Sequence, residues 1–154
     1  MDYSQFEMAT QKLIDLNNSI TLPKLFWFYY YCSHLVLNGN ITKFIINYCN
    51  CKLQDFTFHW SFTVRQVFYK LILFIYNERI NDEEGKLFDF NIFYNFINNT
   101  REYNYGKEAK KDYDTIYKEY ISWKKTNNNS IDSSKISYPS YYLPLINADN
   151  AKID

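Results

Sequence analysis

Apolar residues recur every three or four positions along most of the chain, the spacing of one face of an α-helix. Phe6, Ala9, Leu13, Leu16 and Ile20 keep this spacing in the first segment, with Ser4 available as a cap, and predict an opening helix whose stripe faces the core. A second helix is predicted from Thr21 as cap, with Pro23 in the first turn, where a missing N–H costs no hydrogen bond, to a stop at Asn38-Gly39. It is apolar almost all round. A shorter third helix runs from Asn40 through Ile41, Phe44, Ile45 and Tyr48, ending before Cys49-Asn50-Cys51.

The longest predicted helix spans about Leu53 to Arg79. Phe56, Trp60, Val64, Val67, Leu71 and Phe74 form its apolar stripe, and Asp55, His59, Gln66, Lys70 and Asn77 a narrower polar one, as in a central helix covered on most sides. Asn81 to Gly85 reads as a loop, after which Asp89 caps a short helix carrying Phe90, Phe93, Tyr94 and Ile97. The last helix, about Glu108 to Lys125, carries Tyr113, Ile116, Tyr117, Tyr120 and Ile121 at helical spacing, with Asp114 and Lys118 one turn apart as an ion pair. From Thr126 onward Asn, Ser, Asp and Pro take over, so residues 126–154 are expected to form a polar, loosely ordered tail with Tyr138 to Ile146 as a docking patch. The expected fold is all-α: an up-and-down bundle of about five to six helices over residues 1–125, built on a central long helix and followed by an irregular C-terminal tail.

Composition agrees with that pattern. Three glycines and three prolines are too few for the many tight turns of an all-β domain. Apolar residues make up 47% of the chain and aromatics 21%, far above the range of disordered segments. A domain of this length buries roughly two thirds of the surface its unfolded chain exposes, enough to fold alone. Lys plus Arg and Asp plus Glu number 17 each, so no global cationic field draws nucleic acid or anionic membranes, and any such contact must be local. Cys32, Cys49 and Cys51 are odd in number and no N-terminal stretch has the makeup of a signal peptide, which points to a reducing cytoplasm. The most apolar stretch, Leu22 to Leu37, is interrupted by Lys24 and His34 and is shorter than the roughly 20 residues needed to cross hydrocarbon, so no membrane partner is expected.

Little in the sequence carries recognisable chemistry. Gly39, Gly85 and Gly106 lie too far apart for a phosphate-cradling loop. Cys32-x-His34, Cys49-x-Cys51 and His59 are metal-ligand types without the spacing of paired zinc cysteines; no metal and no cofactor is expected, and Cys49 and Cys51 read as small residues flanking a turn. Asp55 and His59, one helical turn apart, are the candidate catalytic pair, since a carboxylate there could orient the imidazole and raise its basicity. The competing reading is two solvated neighbours, because no nucleophile lies near them in sequence. Glu83 and Glu84 read as a solvated loop. Lys107, Lys110, Lys111, Lys118, Lys124 and Lys125, interleaved with Tyr103, Tyr105 and Trp123, are the candidate nucleic-acid contacts. Glu102, Glu108, Asp112, Asp114 and Glu119 dilute that charge, which favours an ordinary solvated helix face.

The order of segments resembles the HEPN superfamily of helical bundles, in the branch found in bacterial abortive-infection systems. The resemblance covers about residues 20–100. It rests on Lys24-Leu25-Phe26-Trp27-Phe28-Tyr29, on the helix Phe58 to Ile80 ending Leu73-Phe74-Ile75-Tyr76-Asn77-Glu78-Arg79, and on the segment Leu87 to Ile97 after an acidic loop. Active members are metal-independent ribonucleases, usually dimeric, with an Arg followed about four to six residues later by His. Here Arg65, Arg79 and Arg101 all come after His34 and His59, so the resemblance carries no catalytic residue onto this chain. It implies a non-catalytic bundle from a bacterial defence or toxin–antitoxin context that binds RNA or a partner protein, with a homodimer as its expected assembly. The alternative is a viral protein-interaction bundle that inhibits apoptosis or immune signalling by holding a partner helix in an apolar groove. A structural subunit without independent activity is the third reading.

Overall fold

The computed structural model describes residues 3–36, 40–80 and 88–127, with side chains placed for 4–31, 43–77 and 88–127. The fold is all-α, with no strand among the described residues. Helices α1 (Tyr3–Asp15), α2 (Thr21–Val36), α3 (Asn40–Cys51), α4 (Leu53–Thr57) and α5 (Phe62–Lys70) follow in order, and α5 runs straight on as a π-helix over Leu71–Ile80. Then come α6 (Phe90–Asn98), a 3-10 turn (Thr100–Glu102) and α7 (Gly106–Asn127). The predicted stop at Asn38-Gly39, the loop Asn81 to Gly85 and the tail from 128 lie outside the described residues.

Helix α5 and its π-helical continuation pack between α2 on one side and α7 on the other. Every residue from Leu71 to Tyr76 is buried, so no polar face is spared along that stretch. The surplus of aromatic residues is absorbed as interlocked rings. Phe26, Phe56 and Phe68 meet with centroids 5.1–5.4 Å apart, and Tyr69, Phe93 and Tyr113 form a second cluster at 5.7–6.0 Å. Such tilted and edge-on pairs each add about 0.5–1.5 kcal/mol to the area they bury.

Three sequence expectations are corrected by packing. In α1, Thr10 and Ile14 are buried, while Ala9 and Leu13 are exposed, as are Leu16 and Ile20 in the turn that follows. The rotation of α1 is fixed by polar anchors: the Tyr29 hydroxyl donates to Thr10 Oγ1 at 3.2 Å and the Tyr48 hydroxyl donates to Asp15 at 2.6 Å. Helix α3 does not stop before Cys49. It continues through Cys51, with Cys49 buried beside the Tyr76 hydroxyl at 3.7 Å, where burial pushes its thiol up to about 12. Thr21 opens α2 but does not cap it; Asn18 does, its side-chain oxygen accepting the N–H groups of Ile20 and Thr21 at 2.8 and 3.2 Å. The Asp89 cap of α6 is as expected, accepting from Ile92 N–H at 2.9 Å.

The central helix is also not continuous. It breaks over Phe58–Ser61, and Trp60, expected in the core stripe, is 58% exposed. In an unbroken helix the carbonyls of His59 and Trp60 would accept from the amides four residues on. Here the Arg65 guanidinium takes both of them.

Lys70, at the end of α5, is buried with its ammonium 3.6 Å from the Glu119 carboxylate. Burial pulls its pKa down to about 8, against the opposing pull of Glu119. The folded state therefore holds fewer protons than the unfolded chain between about pH 8 and the ordinary lysine value, and stability rises with pH across that window. The buried Cys49 thiol opposes this from about pH 9, and above about pH 10 the buried tyrosines reverse the trend, because Cys49, Tyr29, Tyr69 and Tyr113 are pushed up by burial and resist ionisation in the fold. Urea unfolding at pH 7.5 and 9.5 is expected to show higher stability at 9.5 in the wild type and no such rise in Lys70→Met.

Candidate nucleic-acid interface

Helix α7 sorts its charges by direction. At about 100° per residue, Lys107, Lys111, Lys118 and Lys125 fall within an arc of about 40°, along a strip about 27 Å long. All are exposed, and none makes an ion pair among the described residues. The acids that balance them in sequence are mostly engaged elsewhere. Asp112 is gripped by Arg65 (2.6 and 2.7 Å), Glu119 by Lys70, and Asp114 by Lys110 at 2.8 Å. The expected Asp114–Lys118 pair is thus replaced by one with Lys110, which leaves Lys118 on the strip. Lys124 turns aside over the Tyr120 ring, its Nζ 3.3 Å from the hydroxyl. Of the predicted contacts, Lys107, Lys111, Lys118 and Lys125 share one surface; Lys110 and Lys124 are diverted to local partners.

The aromatic residues separate in the same way. Trp123 packs against Phe74 at 5.2 Å, and Tyr103 stacks flat on Phe58 at 4.3 Å. Tyr105, 49% exposed, stays available beside the first turn of α7. Across from it stands Trp60, brought to the surface by the break between α4 and α5. Together they line an open cleft of about 390 Å³ at the N-terminal end of α7. The Phe58–Tyr103 stack lies in its wall, and Asp55, Glu102, Asn17, Gln54 and Asn104 supply its polar groups. Among the described residues, no Lys or Arg lines it.

Tight backbone geometry builds this cleft. Asn17 and Tyr105, with φ of 47° and 59°, are the described non-glycine residues in the left-handed region, and both line it. Left-handed backbone costs a residue with a side chain about 1–2 kcal/mol. Gly106 follows Tyr105 because nothing larger fits: a Cβ there would lie 1.8 Å from the Thr100 carbonyl oxygen.

His59 also lines the cleft, 3% exposed, its ring stacked beside Trp60 at 5.5 Å. The chain break removes it from the helix that would have set it one turn from Asp55, and Asp55 instead faces Lys52 at 3.8 Å. Nδ1 accepts from Ser61 N–H at 3.0 Å, so the neutral ring carries its proton on Nε2. Nε2 has no hydrogen-bond partner among the described residues; the Asn17 backbone favours protonation there without reaching bonding geometry. Burial lowers the His59 pKa below the ordinary value, and Arg65 adds to that, outweighing Asn17, Ser61 and Asp55. Asp55 thus does pull the imidazole toward protonation, but burial outweighs it, and His59 is a neutral N–H donor at pH 7. Among the described residues no three His, Cys, Asp or Glu side chains group as metal ligands, and no helix is long and apolar enough to cross a membrane.

No protein-family model, curated protein or solved structure matches the chain.

Trp60 and Glu102 do not stand out in the sequence as site residues. Trp60 sits in step with Phe56 and Val64, and its exposure follows from a break that no Gly or Pro marks. Asn104-Tyr105-Gly106 does carry a turn signal, but nothing in it announces a cleft.

Proposed function

We propose that this chain is a HEPN-like helical bundle that binds single-stranded RNA along α7 without cleaving it. One observation carries the reading: the acids of α7 are largely neutralised by neighbouring cations, leaving Lys107, Lys111, Lys118 and Lys125 unpaired, among the described residues, on one strip. A row of exposed ammonium groups about 27 Å long suits a phosphate backbone. The sequence order of its Arg and His residues supports the absence of cleavage, as does a neutral, buried His59.

Binding to a labelled U-rich oligonucleotide is expected to weaken about fifty-fold between 50 and 200 mM salt if these lysines contact separate phosphates. The quadruple Lys→Ala variant should bind weakly and lose most of that salt dependence. An unchanged affinity in this variant would remove the reading. Total RNA incubated with the wild type should stay intact.

A second reading, a bundle that holds a protein partner, is favoured by exposed apolar residues at the end of α1 and in the turn after it, where Leu13, Leu16 and Ile20 are 36%, 67% and 57% exposed. Leu16→Asp with Ile20→Asp distinguishes the two. An RNA-binding bundle keeps its oligonucleotide affinity in this variant, whereas self-association through α1 would be lost, with a fall in mass by light scattering.

A further inference from the structure

We infer that the cleft between Trp60 and Tyr105 receives one unpaired guanine base from the strand that runs along the lysine strip; the inference rests on the RNA-binding reading and names what its end subsite selects. Position comes first. Tyr105 lies two residues before Lys107, and side chains on a helix tilt toward its N-terminus, so the Lys107 ammonium leans toward the cleft mouth. A strand whose phosphates follow the strip would reach the cleft at its end.

The chemistry of the cleft admits a base and refuses a phosphate. Its charged groups are the carboxylates of Asp55 and Glu102; among the described residues no cation lines it, and Lys52 meets Asp55 at 3.8 Å without lining the cleft. Ionised carboxylates only accept hydrogen bonds, so they call for adjacent N–H donors on a ligand. Guanine alone among the four bases presents a ring N–H beside an exocyclic amine, a pair that one carboxylate can accept in bidentate fashion. Trp60 and Tyr105 offer the exposed faces on which an unstacked base rests.

The independent sign of a missing ligand is His59. Its Nε2–H, on a residue that lines the cleft, is a buried donor that makes no hydrogen bond of normal geometry among the described residues, the Asn17 backbone only favouring its protonation, and a poorly satisfied buried donor is costly. Guanine supplies the complementary acceptors, O6 and N7, on the edge next to its N1–H. Neutral His59 thus matches the acceptor side of the base, and Asp55 or Glu102 the donor side.

The test compares labelled UUUUUU with UUGUUU and UUAUUU by fluorescence polarisation, alongside quenching of tryptophan emission by guanosine 5′-monophosphate. The guanine-containing strand is expected to bind about ten-fold more tightly than the others. Trp60→Ala and Glu102→Gln with Asp55→Asn should each abolish that preference, bringing the three strands to equal affinity. Trp60→Phe should keep it. Guanosine 5′-monophosphate should quench the wild type and not Trp60→Phe. Equal affinity for the three strands, or a guanine preference that survives Trp60→Ala, would overturn the inference while leaving the lysine strip standing. Loss of all strand binding with quenching retained would instead overturn the strip and keep the cleft as a nucleotide site. Trp60 projects from the surface, so its removal leaves the core rings in place, and a thermal melt of each variant confirms this.

Discussion

Arg65→Ala is expected to destabilise the fold by about 3–5 kcal/mol, the cost of leaving one member of a buried ion pair without its partner. Arg65 is buried, and its guanidinium holds Asp112, itself 11% exposed, through two contacts of 2.6 and 2.7 Å. The same group accepts no bond but donates to the carbonyls of His59 and Trp60, which the helix break has left without in-helix partners. Alanine would strand a carboxylate and two carbonyls at once. Because whole domains are stable by only about 5–15 kcal/mol, a loss of this size should appear as a large fall in the urea midpoint and, near body temperature, as partial unfolding. Arg65→Met combined with Asp112→Leu removes both charges and should recover much of the loss, because the desolvation penalty disappears with the pair. Yet this double variant should still lose the guanine preference, because the loop that presents Trp60 is no longer tied to α7. Stability measured by urea unfolding and strand preference measured by polarisation thus report separate roles for one residue. A single variant as stable as the wild type would show that the clip contributes nothing.

Gly106→Ala should cost about 3 kcal/mol, although the same exchange inside most helices stabilises by roughly 0.5–1 kcal/mol. The sign reverses because the added carbon would lie 1.8 Å from the Thr100 carbonyl oxygen and 2.7 Å from its carbon, both backbone atoms that no side-chain rotation can move. The 3-10 turn and the start of α7 would have to part, dragging Tyr105 and Glu102 out of the cleft. Tyr105→Gly makes the opposite comparison. It relieves a left-handed backbone and should be neutral or slightly stabilising, while guanine quenching is lost with the ring. A Gly106→Ala protein with a raised melting temperature would contradict the close approach on which the geometry of the cleft depends.

Much of the fold was legible because burial imposes a period. Tyr113, Ile116 and Tyr120 in α7, and Phe93 and Ile97 in α6, are buried as their spacing requires, and the turn before α6 is capped by the Asp89 that precedes it. The period fails where apolar residues outnumber the core's places. Helix α1 has two faces with apolar members, and which one turns inward is decided by hydrogen bonds to Tyr29 and Tyr48 on other helices. Trp60 keeps perfect step with Phe56 and Val64 and still leaves the core, because Arg65, tied to Asp112 across the bundle, stabilises a break that no local breaker residue announces.

The candidate site was legible as ingredients and not as an arrangement. The lysines of α7 were visible as candidates, but so were the acids that appeared to cancel them, and a linear tally cannot distinguish an acid beside a lysine from one that faces Arg65 or Lys70. Asp55 and His59 were visible as neighbours on a helix that, at that point, does not exist.

From the chain alone come the helical class, the burial faces of its later helices and the even balance of charge, because each depends on residues close in sequence. Tertiary structure alone decides which lysines stand unpaired, which tryptophan reaches the surface and which imidazole stays neutral. Those outcomes depend on partners as many as 49 residues away, and the energy of a charge or a buried donor is set by what folding places beside it.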